Sequence, residues 1–199
     1  MTRVTAKEKI IESTLQVMKG RGYQAVTVDE IISHAGVSKG SFYHAFKSKE
    51  ELTIKALEVY GARGWEIVAS GGYLKVDDPV ERARAFSRHI EDKSGELWKH
   101  GCLMGTLALE VSESNPKLIK KIDKLLDNLE VGAEGIYDAA LKARKIKHVT
   151  GKELARHFLS VIEGGIVIAR AHMKPEYLND GIRIFREYLD MLLVDHRKV

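Results

Sequence analysis

The chain has 199 residues, 44% of them apolar and 30% charged, which is enough apolar content to bury the core of one large domain or two small ones. The net charge of +4 is modest, only three prolines interrupt the chain, and a single cysteine excludes an internal disulfide framework and fits a reducing cytosol. The N-terminus lacks the apolar run of a secretion signal, and the longest apolar stretch, near 164–171, falls well short of the ~20 residues a membrane-spanning helix needs, so a soluble cytoplasmic protein is expected.

Residues 5–20 predict a first helix with Ile10, Ile11, Thr14, Leu15 and Met18 on one face, stopped at Gly20 and Gly22. Thr27 and Glu30 have capping-box spacing and start a helix at Val28. Its apolar positions, Val28, Ile31, Ile32 and Ala35, follow the i, i+3, i+4, i+7 pattern of one buried face. Gly36 supplies a left-handed residue to end it, and Val37 plugs the turn. Ser38 caps a short helix to about residue 45, on which Phe42 and Phe46 face inward. That leaves Lys39, Gly40, Ser41, Tyr43 and His44 outside. Ser48 with Glu51 opens a fourth helix to about Ala69, broken by Gly71 and Gly72.

Asp78-Pro79 starts a helix over 79–95, with proline at the first helical position, and another is expected over 97–113. Asn115-Pro116 caps a long helix with Leu118, Ile122, Leu125, Leu129, Ala133 and Ile136 at helical spacing. Thr150 with Glu153 opens a helix to about Met173, and Pro175 starts the last one, reaching about Asp195. No run alternates with period two, so the expected fold class is all-α, without a sheet.

A short exposed helix carrying Lys, Ser, Tyr and His, set by a glycine turn against a first helix, suits the major groove of DNA. The basic excess lies with it: residues 1–55 hold nine Lys/Arg against six Asp/Glu, and residues 56–199 hold 23 against 22. In this segment the chain resembles the DNA-binding domain of the TetR family of bacterial transcriptional regulators. The matches are Thr27, Val28, Ile31, Ala35, Gly36, Val37, Ser38, Gly40, Phe42, Tyr43, Phe46, Lys49, Glu50 and Leu52. Ala45 and Ser33 depart from the pattern, which has a larger aromatic or His at the first and commonly Ala at the second.

The resemblance implies a three-helix DNA-binding domain over 1–47 and a larger helical ligand-binding and dimerisation domain over 48–199. It implies a dimer reading a palindromic operator in double-stranded DNA, most often as a repressor, released by a small molecule. Thr27 and Ser38 are helix caps that can also offer a hydroxyl and backbone N–H groups to phosphate. Lys39, Tyr43 and Lys49 suit phosphate, Gly40 and Ser41 permit close approach, and His44 can reach a base edge. Ligand-lining candidates are Trp65, Phe86, Trp98, Met104, Leu107, Tyr137 and Phe158, for each of which ordinary core packing is the other reading. Apolar faces on the last two helices (Leu154, Phe158, Val161, Ile162, Gly165, Ile166 and Ala169; Leu178, Ile182, Phe185, Leu189 and Leu192) suit either a dimer interface or an intramolecular core.

Gly101-Cys102-Leu103-Met104-Gly105 resembles a G-C-L-x-G segment found in a subset of that family. Cys102, beside Lys99 and His100, is either a thiol that senses electrophiles or oxidants, and part of the ligand region, or an inert buried residue. Glu110, Glu163, Arg170 and His172 are further polar candidates for the cavity or the dimer seam. No P-loop, HExxH, nucleophile–base spacing or Cys/His cluster appears, and the eight histidines form no i, i+4 pair, so neither an enzyme nor a metal or other cofactor is expected. A helical interaction protein without DNA binding is the third reading; the presence of Lys39, Tyr43 and Lys49 together argues against it.

Overall fold

Helix caps written into the sequence set the element boundaries in the computed structural model, which describes residues 4–194. Asp195, the expected end of the last helix, and His196 lie outside the described residues. Helix α1 spans Ala6–Met18, α2 Val28–Ala35, α3 Lys39–Ala45 and α4 Lys49–Ala69. After a single 3-10 turn at Gly72–Lys75 come α5 (Pro79–Trp98), α6 (Leu103–Val111), α7 (Pro116–Arg144), α8 (Gly151–His172) and α9 (Glu176–Leu192). No strand occurs among the described residues, in line with the all-α expectation.

Capping boxes close at Thr27/Glu30 and Thr150/Glu153, and a further one, with the same Thr-x-x-Glu spacing, at Thr5/Glu8. The fourth is half made: Ser48 accepts from the Glu51 N–H, but the Glu51 carboxylate accepts from Lys47 instead. Gly36 is left-handed at φ 62°, and Val37 N–H donates to Ile32 O, which closes a Schellman turn. The helix expected over 97–113 is not continuous. Residues 99–102 separate α5 from α6, with Gly101 at φ 86°, so Cys102 becomes the N-cap of α6.

The described residues pack as two units, 4–63 with 100–125, and 64–99 with 126–194. The first therefore takes in α6 and the start of α7 as well as the helix-turn-helix, so its limits differ from the 47/48 boundary expected from the motif. Its core is Ile10, Leu15, Met18, Ile31, Phe42, Phe46 and Leu52, all 2% exposed or less. In the second unit, α8 and α9 cross closely: a Cβ on Gly165 would stand 3.0 Å from Leu178, and one on Gly181 3.3 Å from Val161. Leu154, Phe158, Ile162 and Ile166 of α8 and Leu178, Ile182, Phe185 and Leu189 of α9 are buried within the chain. Of the two readings of those faces, the intramolecular core is the one these residues form.

Candidate nucleic-acid interface and internal cavity

Helix α3 is anchored by Phe42 and Phe46, whose rings lie 6.2 Å apart and are essentially unexposed. Burying two rings on one turn fixes which way a seven-residue helix faces, since such a helix has little stability of its own. Lys39, Gly40, Tyr43 and His44 are exposed on the other side, and Ser41 is half-buried. Tyr43 is 54% exposed, and its ring meets Phe42 edge-on at 5.2 Å, so the hydroxyl is presented outward on a fixed base. The Ser38 hydroxyl accepts from Ser41 N–H at 3.1 Å, and Thr27 caps α2 by accepting from Glu30 N–H at 3.2 Å. Glu30 in turn accepts from Thr27 N–H at 2.7 Å. That bond first, then Arg21 and the Thr27 hydroxyl, holds its carboxyl down at about 2.

Lys39 keeps its side chain in solvent, with Asp29 at 3.2 Å. Lys49 does not. Its ammonium donates to Tyr23 O at 2.9 Å and Val26 O at 2.8 Å and sits 4.2 Å from the centre of the Tyr23 ring. Burial there pulls the amine below the usual lysine range. The phosphate role expected of Lys49 is thus replaced by a structural one: it ties the start of α4 to the loop before α2.

Glu110 is also placed differently from the expectation. Its carboxylate accepts from Tyr23 N–H at 2.7 Å and Gln24 N–H at 3.2 Å, while Gln24 donates to Glu110 O at 3.2 Å. Helix α6 therefore grips the loop between α1 and α2 of the helix-turn-helix region, within one packed unit. Gly22 makes this approach possible: at φ 80° any Cβ there would overlap the Glu110 carboxylate. The sequence signals were a glycine and a glutamate 88 positions apart, which spacing alone cannot pair.

The second unit holds a partly open cavity of about 70 Å³. Trp65, Phe86, Trp98 and Phe158 line it, as do Tyr73, Leu129, Gly132 and Ala155. Four of the eight ligand candidates therefore come together. Tyr137 stands behind the wall, fully buried, with ring centres 5.9 Å from Phe86, 6.3 Å from Phe158 and 6.0 Å from Phe185. Its hydroxyl shares a hydrogen bond with Ser87 at 3.0 Å, and burial pushes its pKa up. Cys102, Met104 and Leu107 are buried in the other unit and do not reach this cavity. The Cys102 sulfur accepts from Gly105 N–H at 3.4 Å, so here it serves as a helix cap, 3% exposed. His172 packs beside Tyr177, with ring centres 5.1 Å apart.

A capped helix-turn-helix with a polar outer helix, in an all-helical chain, defines a DNA-binding regulator of transcription. A family model described as bacterial regulatory proteins, tetR family, matches residues 10–56. A second, described as transcriptional regulator LmrA/YxaF-like, C-terminal domain, matches residues 79–182. The chain belongs to the TetR family of bacterial transcriptional regulators. It is 28% identical over 185 residues to the transcriptional regulator AcuR of Cereibacter sphaeroides, covering 90% of this chain and 83% of that one. It is 27% identical over 173 residues to an HTH-type transcriptional regulator, YxaF, of Bacillus subtilis, covering 84% and 86%. A regulatory protein TetR from Rhodobacter sphaeroides superposes with a TM-score of 0.78 at 26% identity, covering 92% of this chain and 97% of that one. Among the described residues no helix is long and apolar enough to cross a membrane.

Proposed function

We propose that this regulator is a cytoplasmic repressor that binds a palindromic operator as a homodimer and lets go when a small molecule occupies the cavity. The observation that carries the DNA half is the outer face of α3, where Lys39, Gly40, Tyr43 and His44 stand exposed over a buried Phe42–Phe46 base. Thr27, Ser38, Lys39, Gly40, Ser41, Tyr43 and His44 form the contact set; Lys49 supports it from inside. On this reading residues 1–47 read the operator and residues 48–199 sense and dimerise.

A palindrome read by one helix per half-site calls for two copies. Support for the pairing surface comes from an outer face of α8 and α9 distinct from their buried one. Val167 and Ile168 on α8, and Ile184, Tyr188 and Met191 on α9, are all at least 42% exposed. The α9 trio falls at i, i+4, i+7, so it forms one apolar stripe of the kind that a second copy covers. Support for ligand release comes from helix membership: Trp65 in the cavity wall lies on α4, which also carries Lys49.

The test is a mobility-shift titration with the DNA flanking the protein's own gene, across a salt series. Specific binding that falls steeply with salt is expected, as phosphate contacts release counterions. Tyr43→Ala should weaken it about tenfold while changing folding stability by less than about 0.5 kcal/mol, because its side chain is largely solvent-facing. Absence of any sequence-selective binding would overturn the reading.

A further inference from the structure

We infer that the cavity selects an uncharged, largely apolar molecule of about one or two fused rings, and that Trp65, seated on Gly132, is the door that sets the fit. This rests on reading the cavity as the ligand-sensing site. Among the described residues that line it, none carries a charge. The one phenol in the wall, Tyr73, already donates its hydroxyl to Val68 O at 3.0 Å. Of the charged residues next to lining residues in sequence, Glu130 beside Leu129 and Arg156 beside Ala155 are spent on each other through two hydrogen bonds of 3.0 and 2.9 Å, and Glu91 beside Ile90 is paired with Arg186. An ion entering this wall would lose its hydration and meet no counter-charge, a cost an uncharged molecule does not bear.

The shape of the wall points the same way. Trp65, Tyr73, Phe86, Trp98 and Phe158 present rings, and flat apolar solutes gain most from offset or edge-on contact with such surfaces. The cavity admits about half a dozen water-sized groups before any side chain moves. Trp65 is 45% exposed, so its indole has one side in the cavity wall and the other in solvent. Gly132 lies directly beneath it: a Cβ there would be 2.8 Å from the far edge of the indole ring. That is closer than carbon atoms pack, so a methyl at 132 displaces the ring rather than the helix backbone.

Calorimetric titration of the full chain with three probes built on one ring system tests this: indole, the anion indole-3-carboxylate and the cation tryptamine. Indole should bind, and both ions should bind at least roughly tenfold more weakly. Gly132→Ala should change indole affinity several-fold by moving Trp65. Ala155→Leu, which fills the wall from α8, should abolish binding, and thermal melts confirm that both variants fold. Equal binding of either ion, no indole binding, or indole binding indifferent to both substitutions would overturn the inference. The same samples on operator DNA separate this from the release reading. Indole that binds without freeing the DNA supports the ligand class and removes ligand release. Release by an ion alone keeps ligand release and overturns the class proposed here.

Discussion

The reading head and the cavity wall are held together by opposite means. In the head, charged side chains are spent on backbone groups: Lys49 on the carbonyls of Tyr23 and Val26, Glu110 on the N–H groups of Tyr23 and Gln24, Glu30 on that of Thr27. Around the cavity, rings meet by their edges at 5–6 Å, and Phe158 stacks on Phe185 at 4.5 Å. Charge-assisted hydrogen bonds are directional and fix a backbone to fractions of an ångström, which a helix entering a groove requires. Edge contacts between rings are weak individually and survive small displacements, which suits the ligand-sensing role proposed for this wall. Two glycines of close approach, Gly22 and Gly132, show the same contrast. At Gly22 an added methyl meets a carboxylate held by two backbone bonds; at Gly132 it meets the edge of a partly exposed ring.

This contrast predicts a ranked series of effects. Gly22→Ala should be the most damaging, at roughly 2–4 kcal/mol in urea denaturation, since it combines a left-handed φ with loss of the Glu110 grip. Little loss would mean that α6 does not fix the α1–α2 loop. Next comes Lys49→Met, at about 2–3 kcal/mol, because two carbonyls lose a charged donor. Its DNA affinity should keep its salt slope, whereas Lys39→Met should leave stability alone and reduce that slope by about one. If the two lysines behave alike, the inward placement of Lys49 does not describe the working protein. In the cavity unit, Tyr137→Phe should cost only about 0.5–1.5 kcal/mol, because Ser87 still donates to Ala83 O at 3.1 Å.

The smallest effect is acid sensitivity. Folding lowers the Glu30 pKa, so its contribution is complete above the ordinary carboxylate value of 4.5 and fades as pH falls toward about 2. Glu30→Gln should therefore flatten the stability profile over that window and leave the rest of the profile's shape unchanged, as followed by circular dichroism.

Features written in adjacent residues were legible in the sequence. The Thr27 and Thr150 boxes, the left-handed Gly36 and the inward Phe42 and Phe46 depend on contacts within a turn or two, and spacing encodes those. What spacing does not encode is which neighbour a face meets. Met104 and Leu107 have the same apolar pattern as the cavity residues, yet they pack in the other unit. Periodicity gave α8 and α9 their buried stripes but not the exposed apolar residues Val167 and Ile168 of α8 or the exposed stripe Ile184, Tyr188 and Met191 of α9. The inward placement of Lys49 is hidden from the sequence for a similar reason. A lysine at the start of a helix looks solvated until its partners, 23 and 26 residues earlier, are brought beside it.

Both of the chain's tryptophans, Trp65 and Trp98, line the same cavity. The intrinsic indole emission of the unlabelled protein therefore originates wholly at the candidate sensing site, and the reading head is dark at those wavelengths. Occupancy and DNA attachment can thus be recorded on separate channels in one cuvette, native emission for the first and a dye on the operator for the second. The order of the two events then becomes a question of kinetics that needs no engineered reporter.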